Sequence, residues 1–218
     1  MKTELLLIRH GETDWNTERR LQGHLDIAMN PEGRRQAQAL AGGLMQEKLA
    51  AIISSDLQRA VQTAGEIGRL QGLPTRLDAH LRERCFGGFE GHTYSELPEI
   101  FPQAYAHWKS RDPDFHFPPK QDDVHNCGES IREFHRRVMR CIAHYGAHYA
   151  GQKIAIIAHG GVLECAYRQA RGLALNAERE KKIFNASINR FVWENQTLKL
   201  VQWGDVAHLE QAILDEIT

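Results

Sequence analysis

Cysteines are few in this sequence, and their arrangement predicts neither a metal site nor a redox site. Cys85, Cys127, Cys141 and Cys165 are scattered along the chain, and no two of them form a Cys-x-x-Cys pair. A zinc knuckle or a dithiol redox centre is normally recognised by such a pair. We therefore expect reduced thiols.

Long hydrophobic runs and a strong net charge are also absent. The 218 residues carry a formal net charge of -1, which gives no general attraction to a nucleic acid or an anionic membrane. The apolar run after Lys2 ends at Arg9, which is too early for a signal peptide, and no later stretch reaches membrane-spanning length. These features predict a soluble, cytoplasmic protein with no nucleic-acid or membrane partner, and they leave open whether it forms a homodimer.

Histidine, in contrast, is frequent, with 12 residues in the chain. His144 and His148 stand one helical turn apart, a spacing that can bind a metal ion. No glutamate lies between them in the metalloprotease arrangement. We therefore expect a solvated helix face there, and no metal or other cofactor in the protein.

The first strong pattern in the chain is a buried strand that ends in Arg9 and His10. Leu5 to Ile8 are four consecutive large aliphatic residues, which indicates a strand covered on both faces in a parallel sheet. Gly11 follows the two polar residues and allows the backbone to turn close to a ligand. Because ligands bind at the carboxyl ends of the strands in such sheets, Arg9 and His10 are candidate site residues.

A second histidine repeats this arrangement. The aliphatic run of residues 154–158 ends in His159, and Gly160 and Gly161 follow. One such histidine would be interpreted as a buried core residue. Two strand-end histidines, each followed by glycine, predict a common site at one edge of the sheet.

Residues 51–54 form a further short apolar run, and the pattern after it predicts a helix beginning at Ser55 and Asp56. Arg59 lies in the first turns of that helix. It would be an ordinary surface residue on many helices, but a helix N-terminus also favours an anion. Arg59 is therefore a candidate for binding a negatively charged group.

The remaining patterns predict the scaffold. Asn30 and Pro31 begin a helix with an apolar stripe that includes Met45, and residues 75–81 suit another strand. Ser130 and Glu133 form a capping box for a helix to about Tyr149. Residues 185–203 suit an edge hairpin, and Leu209 to Ile217 a terminal helix. The predicted fold is a three-layer α/β/α sandwich with a mostly parallel sheet of about six strands.

The segment from about residue 90 to residue 129 is the least regular and is predicted to be a lid inserted into the domain. It is rich in proline and aromatic residues. We expect Tyr105 and Trp108 to form a small core within it, and Phe115 and Phe117 to narrow the binding pocket. A lid of this kind would determine substrate specificity, since loops often contain the residues that select a substrate, whereas the residues at the sheet edge catalyse the shared reaction.

Three stretches together resemble the histidine phosphatase superfamily, the phosphoglycerate-mutase-like enzymes. The resemblance covers nearly the whole chain and rests on Ile8-Arg9-His10-Gly11-Glu12-Thr13 with Trp15-Asn16, on Ser54 to Ala64, and on Glu83 before Phe86-Gly87-Gly88-Phe89-Glu90-Gly91. It implies one such domain over residues 1–218, with the same three-layer fold.

The resemblance also implies roles for individual residues. His10 would be the nucleophile that becomes phosphorylated, and Glu83 the proton donor and acceptor. Arg9, Arg59 and His159 would hold the phosphate. A second set would line the substrate pocket: Asn16, Gln22, Gly23 and Gly160.

Three functions are compatible with these residues. The first is a metal-independent phosphomonoesterase that hydrolyses a small phosphorylated metabolite through phosphohistidine. The second is a phosphoglycerate mutase, although the longer insert and paired arginines of that branch are missing, with Lys109, Arg111 and Lys120 as remaining substitutes. The third is a non-enzymatic, anion-binding regulatory module, which the complete set of candidate catalytic residues argues against.

Overall fold

The computed structural model describes residues 1–120 and 128–209, and its centre is one six-stranded sheet. In chain order the strands are β1 (Thr3–Arg9), β2 (Ala51–Ser54), β3 (Thr75–Leu77), β4 (Lys153–Ala158), β5 (Ile188–Glu194) and β6 (Thr197–Asp205). Their order in the sheet is β3-β2-β4-β1-β5-β6. The first four strands run parallel, and β5 pairs antiparallel with both β1 and β6. The mostly parallel sheet of six strands is thus confirmed.

Seven α-helices accompany the sheet in the described part of the chain. They are α1 (Asp14–Thr17), α2 (Pro31–Gly43), α3 (Gln58–Gln71), α4 (Leu97–Ile100), α5 (Pro102–Lys109), α6 (Ile131–His148) and α7 (Gly160–Arg171). None of the helices in these residues is both long and apolar enough to cross a membrane.

The sheet is covered on both faces, because its central strands carry apolar side chains on both faces. Leu6 and Ile8 of β1 pack into one core with α2 and α3, whereas Leu5 and Leu7 pack into another with α6 and α7. This explains why the run shows no alternation of polar and apolar residues. The three-layer α/β/α arrangement is confirmed.

The predicted helix starts depend on side-chain caps. The Asn30 side chain accepts a hydrogen bond from Gly33 N at 2.7 Å, and Pro31 occupies the first turn of α2. Ser130 and Glu133 form the predicted capping box of α6. The predicted start of α3 was early, since the helix begins at Gln58 and not at Ser55.

Two further scaffold predictions were wrong. The third strand ends at Leu77, and a 3-10 turn over Ala79–Leu81 follows, because the Asp78 side chain accepts from His80 N and caps that turn. Met45 does not belong to the buried stripe of α2; it is 58% exposed, since the helix has already ended at Gly43. The predicted helix from Leu209 to Ile217 lies almost entirely outside the described residues.

The segment after Glu83 builds a small aromatic core of its own. Its centre is Phe89, which packs against Phe101, Trp108 and Phe117 at ring-centroid distances of 5.0, 5.9 and 5.1 Å. Phe115 and Phe117 are 7% and 1% exposed, so they support this core and do not narrow a pocket. The prediction for these two side chains was therefore wrong, whereas Tyr105 and Trp108 pack against the core as expected.

Candidate active site

The two predicted histidines meet at the carboxyl edge of the sheet. Strands β1 and β4 are parallel neighbours, with Arg9 opposite Ala158, so the residues that follow them emerge side by side. The rings of His10 and His159 have centroids 5.2 Å apart. Both side chains are buried, at 3% and 0% exposure. The structure thus brings the two predicted histidines together at one edge of the sheet.

The ring of His10 is held in a defined orientation. Its Nδ1 lies 2.7 Å from the carbonyl oxygen of Gly11. Because a carbonyl only accepts hydrogen bonds, Nδ1 carries the proton, and a neutral ring then presents the lone pair on Nε2. Burial, and then the positive charges of Arg59 and Arg9, hold the pKa of His10 well below its ordinary value. A neutral imidazole with its Nε2 lone pair exposed is the form that a nucleophile requires.

Arg59 lies in the first turn of α3 and forms hydrogen bonds both to His159 and to the loop that follows α1. Its Nε donates to Nδ1 of His159 at 3.2 Å, and its terminal nitrogens donate to the carbonyls of Gly23 and Leu25 at 2.8 and 2.9 Å. Gly23 adopts a φ of +52°, which suits glycine. These bonds keep the buried guanidinium in place beside both histidines.

His159 is neutral in the arrangement observed here. Its Nδ1 accepts from Arg59, so its proton resides on Nε2, which lies 2.8 Å from Ser55 Oγ. Burial and the adjacent charge of Arg59 hold its pKa well below the ordinary value. A bound phosphate dianion in contact with the ring would favour the protonated form.

Arg9 supplies a second buried positive charge to the same edge. It is 1% exposed, and its Nη1 donates to the carbonyl oxygen of Ile183 at 2.7 Å. Arg9, His10 and Arg59 line one cleft. Two buried guanidiniums that converge on a cleft create a site for an anion such as phosphate.

Asn16 and Gln22 also line this cleft. Oδ1 of Asn16 accepts from the backbone N of Thr13 at 3.0 Å and from the Asn185 side chain at 3.4 Å, which leaves Nδ2 as the donor for a ligand. Gln22 Nε2 donates to Thr13 Oγ1 at 2.8 Å. Both predicted residues are therefore beside the histidines, in fixed orientations.

Glu83 also lines the cleft. Its Oε1 accepts from Arg84 N at 2.7 Å and its Oε2 from Gly161 N at 2.9 Å. A side chain at position 161 would collide with the carboxylate, so the glycine is required for this approach. Arg82 pairs with Asp56 instead. A surface ion-pair cluster of Glu83 with its two flanking arginines, the simpler alternative, does not describe this carboxylate.

His159 and Gly160 occupy less direct positions than the sequence suggests. His159 adjoins His10 and Arg59, which line the cleft, and Gly160 lines an adjoining cavity at the N-terminus of α7. The cleft is completed by side chains that were not predicted, among them Trp15, Arg19, Phe86 and Tyr94. Their positions depend on how separate loops fold over the sheet edge, which no local spacing indicates.

Glu90 is another residue that sequence reasoning missed. Its Oε1 accepts from His24 N at 3.0 Å and from Phe86 N at 2.9 Å, and its Oε2 lies 2.6 Å from Lys120 Nζ. It therefore joins the loop that holds Arg59 to the aromatic segment. The only sequence signal for Glu90 was that it precedes the last glycine of Phe86-Gly87-Gly88-Phe89-Glu90-Gly91, the stretch that resembles the family.

No group of three or more histidine, cysteine, aspartate or glutamate side chains is suited to hold a metal ion within residues 1–120 and 128–209. His144 and His148 stack with their ring centroids 6.1 Å apart on the exposed side of α6.

This α/β sheet brings two strand-end histidines together with the buried side chains of Arg9 and Arg59, an arrangement suited to an enzyme that handles phosphate. Residues 5–206 match the histidine phosphatase superfamily (branch 1), and the chain belongs to that family. The family and its relatives identify the chain as a phosphatase or mutase enzyme.

Three known proteins illustrate the similarity. Phosphoglycerate mutase-like protein 4 of Arabidopsis thaliana is 38% identical over 95% of this chain and 87% of its own. A metal-independent phosphoserine phosphatase of the same plant is 33% identical over 95% and 83%. The phosphoserine phosphatase of Entamoeba histolytica, solved in complex with 3-phosphoglyceric acid, is 25% identical with a TM-score of 0.82 over 95% of this chain and 100% of that one.

Proposed function

We propose that this protein is a metal-independent phosphomonoesterase that acts on a small phosphorylated metabolite through a phosphohistidine at His10. The observation that carries the proposal is the state of His10. Its Nδ1 proton is held by the Gly11 carbonyl, its pKa is depressed, and it lies beside Arg9 and Arg59. An unprotonated Nε2 in a positively charged cleft suits attack on a phosphoryl group.

The phosphoryl group would be held by the side chains that converge on the cleft. Arg9 and Arg59 would bind its equatorial oxygens, with Nδ2 of Asn16 as a further donor. His159 would bind an oxygen as it takes up a proton. Gln22, Gly23 and Gly160 would act less directly, through the loop and the helix N-terminus that surround the phosphate.

The reaction would proceed in two displacements. In the first, the Nε2 lone pair of His10 attacks phosphorus, the bond from phosphorus to the alcohol oxygen breaks, and Glu83 donates a proton to that oxygen. In the second, water attacks the phosphohistidine and gives its proton to Glu83. The N–P bond then breaks, phosphate leaves, and Nε2 regains its lone pair.

The aromatic segment would act as a lid inserted at about residues 90–129 of a single domain. Phe86 and Tyr94 line the cleft from this side, and the aromatic core behind them keeps their backbone in place. Such an arrangement restricts water and selects the alcohol while the sheet edge carries out the chemistry.

The test is a panel of phosphate monoesters incubated with the enzyme in excess EDTA. Free phosphate and isomerised product are measured separately, and acid-labile phosphate on His10 is trapped by rapid quenching. We expect free phosphate from several esters and label on His10. Activity that disappears in EDTA and returns with a divalent ion, or label on another residue, would contradict the proposal.

The mutase is the second candidate, and the specific observation that favours it is the 38% identity to a phosphoglycerate mutase-like protein. It would use the same phosphohistidine but return the phosphate to a phosphoglycerate. Interconversion of 2- and 3-phosphoglycerate faster than release of phosphate would select it.

A further inference from the structure

A second cavity opens directly beside the phosphate cleft. Glu83, Phe86 and Tyr94 line both of them. The second cavity has a volume of about 190 Å³ and continues between the aromatic segment, the first turns of α6 and α7, and residues 175–183. A molecule bound with its phosphate at His10 could therefore extend past Glu83 into this space.

The position of Glu83 at the boundary determines how a substrate would be placed. The proton donor must lie next to the oxygen whose bond to phosphorus breaks. With phosphate on the histidine side of Glu83, the alcohol attached to that oxygen lies on the other side. The second cavity is on that side.

The walls of this cavity are mainly apolar. Phe86, Tyr94 and Trp108 form one side, and Ile131, Phe134 and Leu175 lie on others. Apolar surface of this kind favours an apolar ligand, because binding removes both surfaces from water. A three-carbon acid would leave most of the cavity unfilled.

The charges around the cavity argue against a cationic alcohol. Among its lining residues the basic ones outnumber the acidic ones: Arg84, Lys109, Arg111, Arg168 and Arg179 against Glu83 and Glu164. Glu164 is already paired with Arg168, with 2.7 Å between Oε1 and Nε. An ammonium group entering the cavity would meet a net positive surface.

We propose that the second cavity binds the alcohol part of the substrate, and that the preferred substrates are phosphate monoesters of bulky, predominantly apolar alcohols without positive charge. This inference rests on the proposed phosphatase function. It adds the substrate class, and it assigns specificity to the residues around the second cavity.

The first test uses the unmodified enzyme and a series of alkyl esters with similar leaving-group acidity. Ethyl, benzyl and 2-naphthylmethyl phosphate are compared with phosphoserine and 3-phosphoglycerate by kcat/KM for phosphate release. We expect kcat/KM to rise about tenfold or more with each added ring, since each ring buries further apolar surface. Equal values across the alkyl series, or a preference for phosphoserine or 3-phosphoglycerate, would overturn the inference.

The second test fills the cavity. Ala177 lines it, and its carbonyl, which Arg111 and Arg168 bind, is retained when only the side chain changes. Ala177→Phe should lower the ratio of kcat/KM for the naphthylmethyl ester to that for the ethyl ester by about tenfold or more. The matched control is Ala174→Phe, at an exposed position outside the cavity.

These outcomes separate the inference from the proposed function. Phosphate release from none of the esters would contradict the phosphatase itself. Phosphate release with an unchanged ester ratio in folded Ala177→Phe would retain the phosphatase and reject the second cavity as the alcohol site. If the variant does not fold, the ester series with the unmodified enzyme decides.

Discussion

The two cavities that meet at Glu83 are built in different ways. In the phosphate cleft, His10, Arg9 and Arg59 extend from the end of a strand and the start of a helix, and backbone carbonyls of the surrounding loops hold their side chains. In the second cavity, aromatic and aliphatic side chains from loops and helix termini form most of the surface. The first construction sets atom positions for a reaction, whereas the second provides a shape that changes with loop sequence.

Removal of His10 should have the largest effect, because it deletes the nucleophile of the cleft. His10→Ala is expected to lower kcat by on the order of 10⁴-fold or more for every ester, since no other group takes over the covalent step. The measurement is phosphate release together with rapid-quench labelling. His148→Ala, at an exposed site on α6, is the matched control. Comparable residual turnover in the two variants would remove His10 from the mechanism.

Glu83→Gln should have the next largest effect, and it should depend on the leaving group. An alkoxide needs a proton as it departs, whereas an activated aryl oxide does not. We expect kcat/KM to fall roughly 10²-fold or more for an alkyl phosphate and much less for an activated aryl phosphate. Glu178→Gln removes an exposed carboxylate outside both cavities and serves as control. Equal losses on both esters would mean that Glu83 has a structural role.

Glu90 joins the loop that holds Arg59 to the aromatic segment, so its removal should loosen the phosphate cleft without deleting a group that touches phosphate. Glu90→Leu takes away the acceptor for His24 N and Phe86 N, and thereby the support of the loop that holds Arg59. We expect inorganic phosphate to bind about tenfold more weakly, consistent with loss of a hydrogen bond to a charged group.

Two variants separate this positioning role from general damage. Glu90→Gln keeps an acceptor oxygen and should restore most of the phosphate affinity, and Lys120→Met removes only the ion pair. Phosphate affinity that is unchanged in a folded Glu90→Leu protein would show that the loop is held by other contacts.

The smallest expected effect is on the pH dependence of stability. Burial lowers the pKa of His10 and His159 below the ordinary 6.5, so near pH 6 the unfolded chain binds protons that the folded chain does not. The free energy of unfolding should therefore increase as the pH is raised to about 6.5 and decrease as the pH is lowered from there. The change is at most about 1.4 kcal/mol per pH unit for each histidine.

His10→Asn isolates one of these contributions. Urea unfolding at pH 5, 6 and 7 should show a weaker pH dependence for this variant than for the unmodified protein. His148→Asn, which alters an exposed residue, should not change it. A steeper dependence in His10→Asn would mean that the folded state holds His10 protonated.

Local pattern was sufficient for the parts of this protein that depend on neighbours in sequence. The unbroken aliphatic runs before Arg9 and His159 predicted strands buried on both faces, and the caps at Asn30 and Ser130 predicted two helix starts. The candidate residues at the strand ends followed from the same runs, since parallel strands end at a common edge. Their roles in catalysis stay predictions until the variants are measured.

The tertiary structure decided what no local pattern contains. The sequence indicates that the segment after Glu83 is aromatic, but only packing shows that Phe115 and Phe117 support its core while Phe86 and Tyr94 face the cavities. Likewise, the contact of Glu83 with Gly161 N and the connection through Glu90 join residues that are far apart in the chain. The spacing of residues in the sequence determines which side chains lie on the same face or at the same end of a helix or strand. Contacts between distant loops depend instead on how the whole chain packs around the sheet.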